Sequence, residues 1–119
     1  MIHHVSIEVS DLERSGTFYD ALFAPLGWRR HNDSGHGIGW GISKPLFFIT
    51  ESKKVVSGSE LVCLSAAGMA GVRGAWEGGV AAGGKDDGKP DRRPEYGSSY
   101  YSAYLRDPDG HRIEIAVAD

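Results

Sequence analysis

The chain predicts an α+β fold built from two βαβββ modules, and three observations predict it. Short runs in which apolar and polar residues alternate mark strands, and two stretches with apolar residues every three or four positions mark helices. The order strand, helix, three strands then occurs twice. An offset of 56 lays the second copy on the first, pairing His4 with Glu60, Val5 with Leu61, Ile7 with Cys63 and Gly27 with Gly83. Read this way, one domain spans residues 1-119, with module one at 1-51, a linker at 52-59 and module two at 60-119.

From Ile2 to Ser10, His3, Val5, Ile7 and Val9 take one face of a strand and His4, Ser6, Glu8 and Ser10 the other. Ser10 to Glu13 has capping-box spacing, with Ser10 as the cap and Glu13 reaching back. Leu12, Phe18, Tyr19, Leu22, Phe23 and Leu26 then share a helical face, and Pro25 with Gly27 ends the helix. Two or three strands follow between Trp28 and Glu51, broken near Asn32 to Gly35 and at Lys44-Pro45. Gly35, Gly37, Gly39 and Gly41 leave one face of a strand bare, while His36, Ile38, Trp40 and Ile42 line the other. A bare face admits a flat ligand or, more simply, tight packing of a neighbour.

Residues 46 to 50, LFFIT, read as a buried strand, and Glu60 to Ser65 as another. Cys63, the single cysteine, reads there as a small buried hydrophobe. Met69, Val72, Trp76 and Val80 have helical spacing and read as core. Gly71, Gly74, Gly78 and Gly79 inside that helix cost about 1 kcal/mol each relative to Ala, so the helix must lean on packing. Lys85 to Ser99 is part strand and part loop, in which Arg92 and Arg93 either gate an anionic substrate or are simply solvated. Tyr100 to Val117 closes the chain as a hairpin around Asp107-Pro108-Asp109-Gly110. In its second strand Arg112 and Glu114 face one way, and Ile113, Ile115 and Val117 the other.

Composition narrows the function. A net charge of −3 with no basic cluster argues against a nucleic-acid partner, and no apolar run reaches the roughly 18 residues of a membrane span. The N-terminus lacks the basic and apolar regions of a signal peptide, so a cytoplasmic protein is expected. There is no phosphate loop, CxxC pair, HExxH motif or nucleophile elbow. What stands out is His4 and Glu114 on polar strand faces, with Glu60 related to His4 by the repeat. Imidazole with carboxylates suits a divalent ion such as Zn²⁺, Ni²⁺, Fe²⁺ or Mn²⁺. Each residue also has a plainer reading: His4 solvated beside His3, Glu60 at the surface, Glu114 paired with Arg112.

HHVSIEVSDLERSGTFYDALFAPLGW at the start and YYSAYLRDPDGHRIEIAV at the end, with the repeat between, resemble the vicinal oxygen chelate superfamily of glyoxalase, bleomycin-resistance and extradiol dioxygenase proteins. The resemblance implies a glyoxalase-like curved mixed sheet around a groove. It implies metal ligands at His4 and Glu114, with Glu60 standing where the family has a second histidine and Phe48 where a glyoxalase has a glutamate. His111 lies on the opposite strand face from Glu114, which argues against it as a ligand. One expectation is therefore a metal-dependent lyase, isomerase or dioxygenase acting on a small molecule with vicinal oxygens. It would use Fe, Mn, Ni or Zn held by His4, Glu60 and Glu114, with Glu8 or Glu60 as general base. The alternative is a metal-free drug-binding protein of the bleomycin-resistance type, whose carboxylates attract a cationic ligand. Trp40, Phe48, Tyr96, Tyr100, Tyr104 and Arg93 are the candidate substrate contacts. The resemblance also implies a homodimer.

Overall fold

A computed structural model describes residues 1–118, apart from the side chain of Asn32, so Asp119 at the end of the second expected module lies outside the described residues. Strand β1 (Val5–Val9) leads into helix α1 (Leu12–Phe23), a 3₁₀ turn (Ala24–Leu26) and strands β2 (Arg29–Asp33), β3 (Gly37–Gly41) and β4 (Phe47–Glu51). The order then repeats as β5 (Leu61–Ser65), α2 (Met69–Ala81), β6 (Lys85–Arg92), β7 (Tyr101–Arg106) and β8 (Arg112–Val117). The strands form two four-stranded mixed sheets, β1-β4-β3-β2 and β5-β8-β7-β6. In each, the first strand runs parallel to the last and the other neighbours are antiparallel. The expected α+β architecture is present, as two sheets and not one continuous sheet. Among the described residues, no helix is long and apolar enough to cross a membrane.

The core lies between the sheets and the two helices. Phe18, Tyr19, Leu22 and Phe23 of α1 are buried with Trp40, Phe47 and Ile49 of the first sheet, and with Leu105, Ile113 and Ile115 of the second. Helix α1 is capped one residue later than the sequence pattern suggests. Asp11 accepts the Arg14 amide at 3.0 Å, and the Leu12 amide donates to Glu51, whereas Ser10 is drawn away to Asp109. Gly27 at φ 79° ends the helical segment, a left-handed conformation that glycine adopts without steric cost. Helix α2 keeps Val72 and Ala75 buried, but Met69, expected in the core, is 42% exposed at its first turn.

The bare face of β3 is occupied by its own neighbours. A Cβ at Gly39 would lie 2.7 Å from the Phe48 ring and 2.9 Å from Pro45, and one at Gly41 would fall on the Lys44 carbonyl. The glycines thus let the Phe48 ring pack closely against β3, which is the packing reading of their period-two pattern.

Candidate functional site

Alternation along β1 and β4 decides which side chains leave the core. Val5, Ile7, Phe47 and Ile49 point inward, so His4, Ser6, Phe48 and Thr50 share the outer face, with Ser6 directly beside Phe48 in the parallel register. There they border an open groove of about 460 Å³, together with His3, Lys44 and Pro45. The Phe48 ring meets the His4 ring edge-on at 5.4 Å between centroids. His3 and His4 are joined through their Nδ1 atoms at 2.8 Å. Glu8 is exposed further along β1, opposite Thr50. Trp40, expected as a groove wall, is fully buried on the inner face, with its indole N–H donating to Asp20 at 2.9 Å. A ligand in the groove cannot reach it.

The outer face of the second sheet carries Glu114. It stands between Cys63 on β5 and Tyr104 on β7, and only 5% of it is exposed. The Tyr100 hydroxyl donates to its Oε2 at 2.9 Å. Burial first, and the bond to Glu114 next, push the Tyr100 phenol well above its ordinary value. Burial followed by a Tyr96 hydrogen bond and the Glu114 charge pushes Tyr104 up to about 12. Tyr104 also lies under two guanidinium groups, Arg112 at 4.3 Å and Arg93 at 5.4 Å from its ring centre. Arg112 pairs with Asp87 at 2.7 Å and not with Glu114. Arg93, just past the end of β6, donates to the Lys89 carbonyl at 2.8 Å and to the Ser102 carbonyl at 3.3 Å, which ties it to β6 and β7. Tyr96 is exposed and packs edge-on against Tyr100 at 5.3 Å. Cys63, expected to be buried, is exposed on this outer face.

Glu60 does not join His4 or Glu114. Its carboxylate accepts from His111 Nδ1 at 3.1 Å, and that bond holds it below the usual carboxylate range. The physical reason is register. Cys63 pairs with Glu114 as Ser6 pairs with Phe48, and Val62 and Leu64 face inward as Val5 and Ile7 do. The two units therefore superpose one residue further along than an offset of 56. The counterpart of His4 is Leu61, 45% exposed, and Glu60 belongs to the opposite face. A slip of one residue reverses every side chain of a strand. His111, expected on the face away from Glu114, bonds neither that residue nor His4 and takes a different place. It is buried, with Nε2 donating to the Glu8 carbonyl of β1 at 2.6 Å.

The donor set can be tested against a divalent ion. Of the four positions that would converge, Phe48 and Leu61 offer no donor atom. Among the described residues, no three of His, Cys, Asp and Glu lie close enough together to hold an ion. The described residues do not by themselves fit a metal centre.

Paired βαβββ units with parallel first and last strands, and a groove on the sheet face away from the helices, define a small α+β protein of the glyoxalase-like class. The sequence pattern of the Glyoxalase/Bleomycin resistance protein/Dioxygenase superfamily matches residues 1–115, and the chain belongs to that superfamily. Its fold is similar to a glyoxalase/bleomycin resistance protein from Albidiferax ferrireducens T118, with 29% identity, coverage of 98% of this chain and 97% of that one, and a TM-score of 0.85. It also resembles the fosfomycin resistance protein FosX from Mesorhizobium loti, at 19% identity, coverage of 98% and 90%, and a TM-score of 0.72. A FosX variant from Listeria monocytogenes, complexed with Mn(II) and 1S,2S-dihydroxypropylphosphonic acid, matches at 17% identity, coverage of 100% and 90%, and a TM-score of 0.73. Comparison with curated protein sequences found no match.

Proposed function

We propose that this protein binds a small molecule in the groove on the outer face of the first sheet, and that it does so without a metal ion. The observation that carries this reading is the placement of Phe48. Its ring fills the space left by Gly39 and closes edge-on against His4, so a position that would have to supply a donor is an aromatic wall. Leu61 makes a second such position apolar. A largely apolar groove with a few polar groups at its margin is the usual form of a small-molecule site.

A second reading is the metal-dependent enzyme acting on vicinal oxygens. In its favour stands Glu114, a nearly buried carboxylate that accepts from Tyr100 and has Cys63 beside it. Both readings take the protein as a homodimer in the cytoplasm, which sedimentation and cell fractionation test.

Thermal unfolding of chelator-treated protein separates the two readings. A ligand that binds only the native state raises the melting temperature. On the binding reading, Mn²⁺, Ni²⁺, Zn²⁺ and Fe²⁺ leave the melting temperature unchanged, whereas small aromatic compounds raise it. A metal-dependent rise that disappears in both His4→Ala and Glu114→Ala would reverse that choice.

A further inference from the structure

The groove has a charge character that its apolar floor does not disclose. Lys44 borders it, and among the described residues that ammonium has no carboxylate partner. Among the described residues no Asp or Glu lines the groove, and the carboxylate nearest along β1, Glu8, lies beyond its margin opposite Thr50, although the chain as a whole carries a net charge of −3. The two histidines add a donor. In the 2.8 Å contact between their Nδ1 atoms, one ring donates and the other must accept through a lone pair. A neutral accepting ring keeps its proton on Nε2, so the pair presents at least one N–H beyond the contact it makes with itself. Beside these groups lie the Phe48 ring and Pro45, apolar surfaces that both pack closely over Gly39.

From this complementarity we infer that the ligand is a flat aromatic monocarboxylic acid, its ring on Phe48 and Pro45 and its carboxylate between Lys44 and the His3–His4 pair. The inference rests on the metal-free reading above and names its ligand class. One ammonium and one imidazole N–H match a single carboxylate better than a doubly charged phosphate. An exposed cation attracts an anion whose approach is also favoured by apolar contact, and a charged hydrogen bond is stronger than a neutral one. The cationic ligand expected for a bleomycin-resistance type of site is disfavoured here, because the carboxylates that would attract it are absent from this groove.

Calorimetric titration of chelator-treated protein with 2-naphthoate, 2-naphthamide and 2-naphthylmethylammonium tests the assignment. Naphthoate should bind tightest. Lys44→Gln should weaken naphthoate about threefold to tenfold, as loss of an exposed charge-assisted contact does, and leave naphthamide unchanged. Equal binding of acid and amide, tightest binding of the ammonium compound, or indifference of naphthoate to Lys44→Gln would overturn the carboxylate assignment while leaving metal-free binding intact. Binding of naphthoate only after addition of Mn²⁺ would overturn both. Binding of none of the three compounds would overturn the ligand class.

Discussion

Cys63 stands directly across the parallel ladder from Glu114, and that carboxylate bears on the chemistry of the thiol. The residue is at the surface, yet its thiol is pushed up to about 11, first by burial among its neighbours and then by the Glu114 charge, against a smaller opposing contribution from Tyr100. The reactive species is the thiolate, so an upward shift makes an accessible cysteine slow. Removing the charge while keeping the shape should bring the thiol back toward its ordinary range. Glu114→Gln is therefore expected to raise the rate of Cys63 alkylation by iodoacetamide at about pH 8 roughly twofold to fivefold, since each pKa unit is about a factor of ten in thiolate. Mass spectrometry of timed samples measures it. An unchanged rate would mean that burial alone holds the thiol up. On the same face, Tyr100 donates to Glu114 and is pushed upward, so it acts as a hydrogen-bond donor at neutral pH and not as a base.

Helix α2 shows why glycine-rich sequence can still be helix. Its glycines sit where α1, the turn after it and β7 come close. A Cβ at Gly78 would lie 2.6 Å from the Ala21 carbonyl oxygen, one at Gly74 would lie 2.9 Å from Pro25, and one at Gly79 would lie 2.6 Å from Leu105. The propensity cost of each glycine is offset by close packing of the helix. The positions are not equivalent, because the nearest atom to a Cβ at Gly71 is 3.4 Å away. Gly71→Ala should stabilise by up to about 1 kcal/mol through helix propensity. Gly78→Ala, which meets backbone, should instead destabilise by about 1–3 kcal/mol. Urea unfolding of the two variants measures the contrast, and two changes of the same sign would contradict it. Elements of this kind are legible because a period of two or of three to four survives in one sequence, which yields both helices, β1 and the closing hairpin, whereas β2 and β6, RRHND and KDDGKPDR, carry no such period and follow only from the repeated order of elements. Facing is harder where alternation fails. Leu61, Val62, Cys63 and Leu64 are apolar on both parities, so nothing local says that Val62 and Leu64 face inward, and Glu60 lies on the side opposite to the one the repeat implies. Trp40 lies in the core for a related reason. Opposite a row of glycines, the apolar side chains of β3 point into the core, and the bare side faces out. Lys44 sits in a loop, where no periodicity marks it as a neighbour of His4 and Phe48.

At the scale of the whole molecule, the tip of the β7–β8 hairpin ties the second βαβββ unit to the first. Asp109 accepts from the Ser10 amide at 3.0 Å and from Arg14 at 3.2 Å. Asp107 accepts from the Tyr19 hydroxyl at 2.7 Å, inside the core. His111 completes the clasp by donating to the Glu8 carbonyl at 2.6 Å and meeting Glu60 at 3.1 Å. With a carbonyl on one nitrogen and a carboxylate on the other, both ring nitrogens donate when the imidazole is protonated. Burial lowers the His111 pKa, but the Glu8 carbonyl, Asp107 and Glu60 together outweigh it and leave the folded-state value raised. A raised histidine contributes stability that is fully present below its unfolded value and is lost as pH rises through the folded one. Glu60, held low by His111, contributes in the opposite sense, present above the ordinary carboxylate range and lost as pH falls through its depressed value. From the ordinary histidine value of about pH 6.5 upward, where the histidine loses its charge and the carboxylates do not change theirs, the clasp should loosen with rising pH. Thermal melts of the protein and of His111→Gln across that window isolate the effect, because every other titrating group is common to both. The unsubstituted protein should melt higher at the acid end, and the two curves should approach each other toward the alkaline end. Parallel curves would show that His111 holds Glu8 as a neutral group, and that the joint between the two units is indifferent to pH.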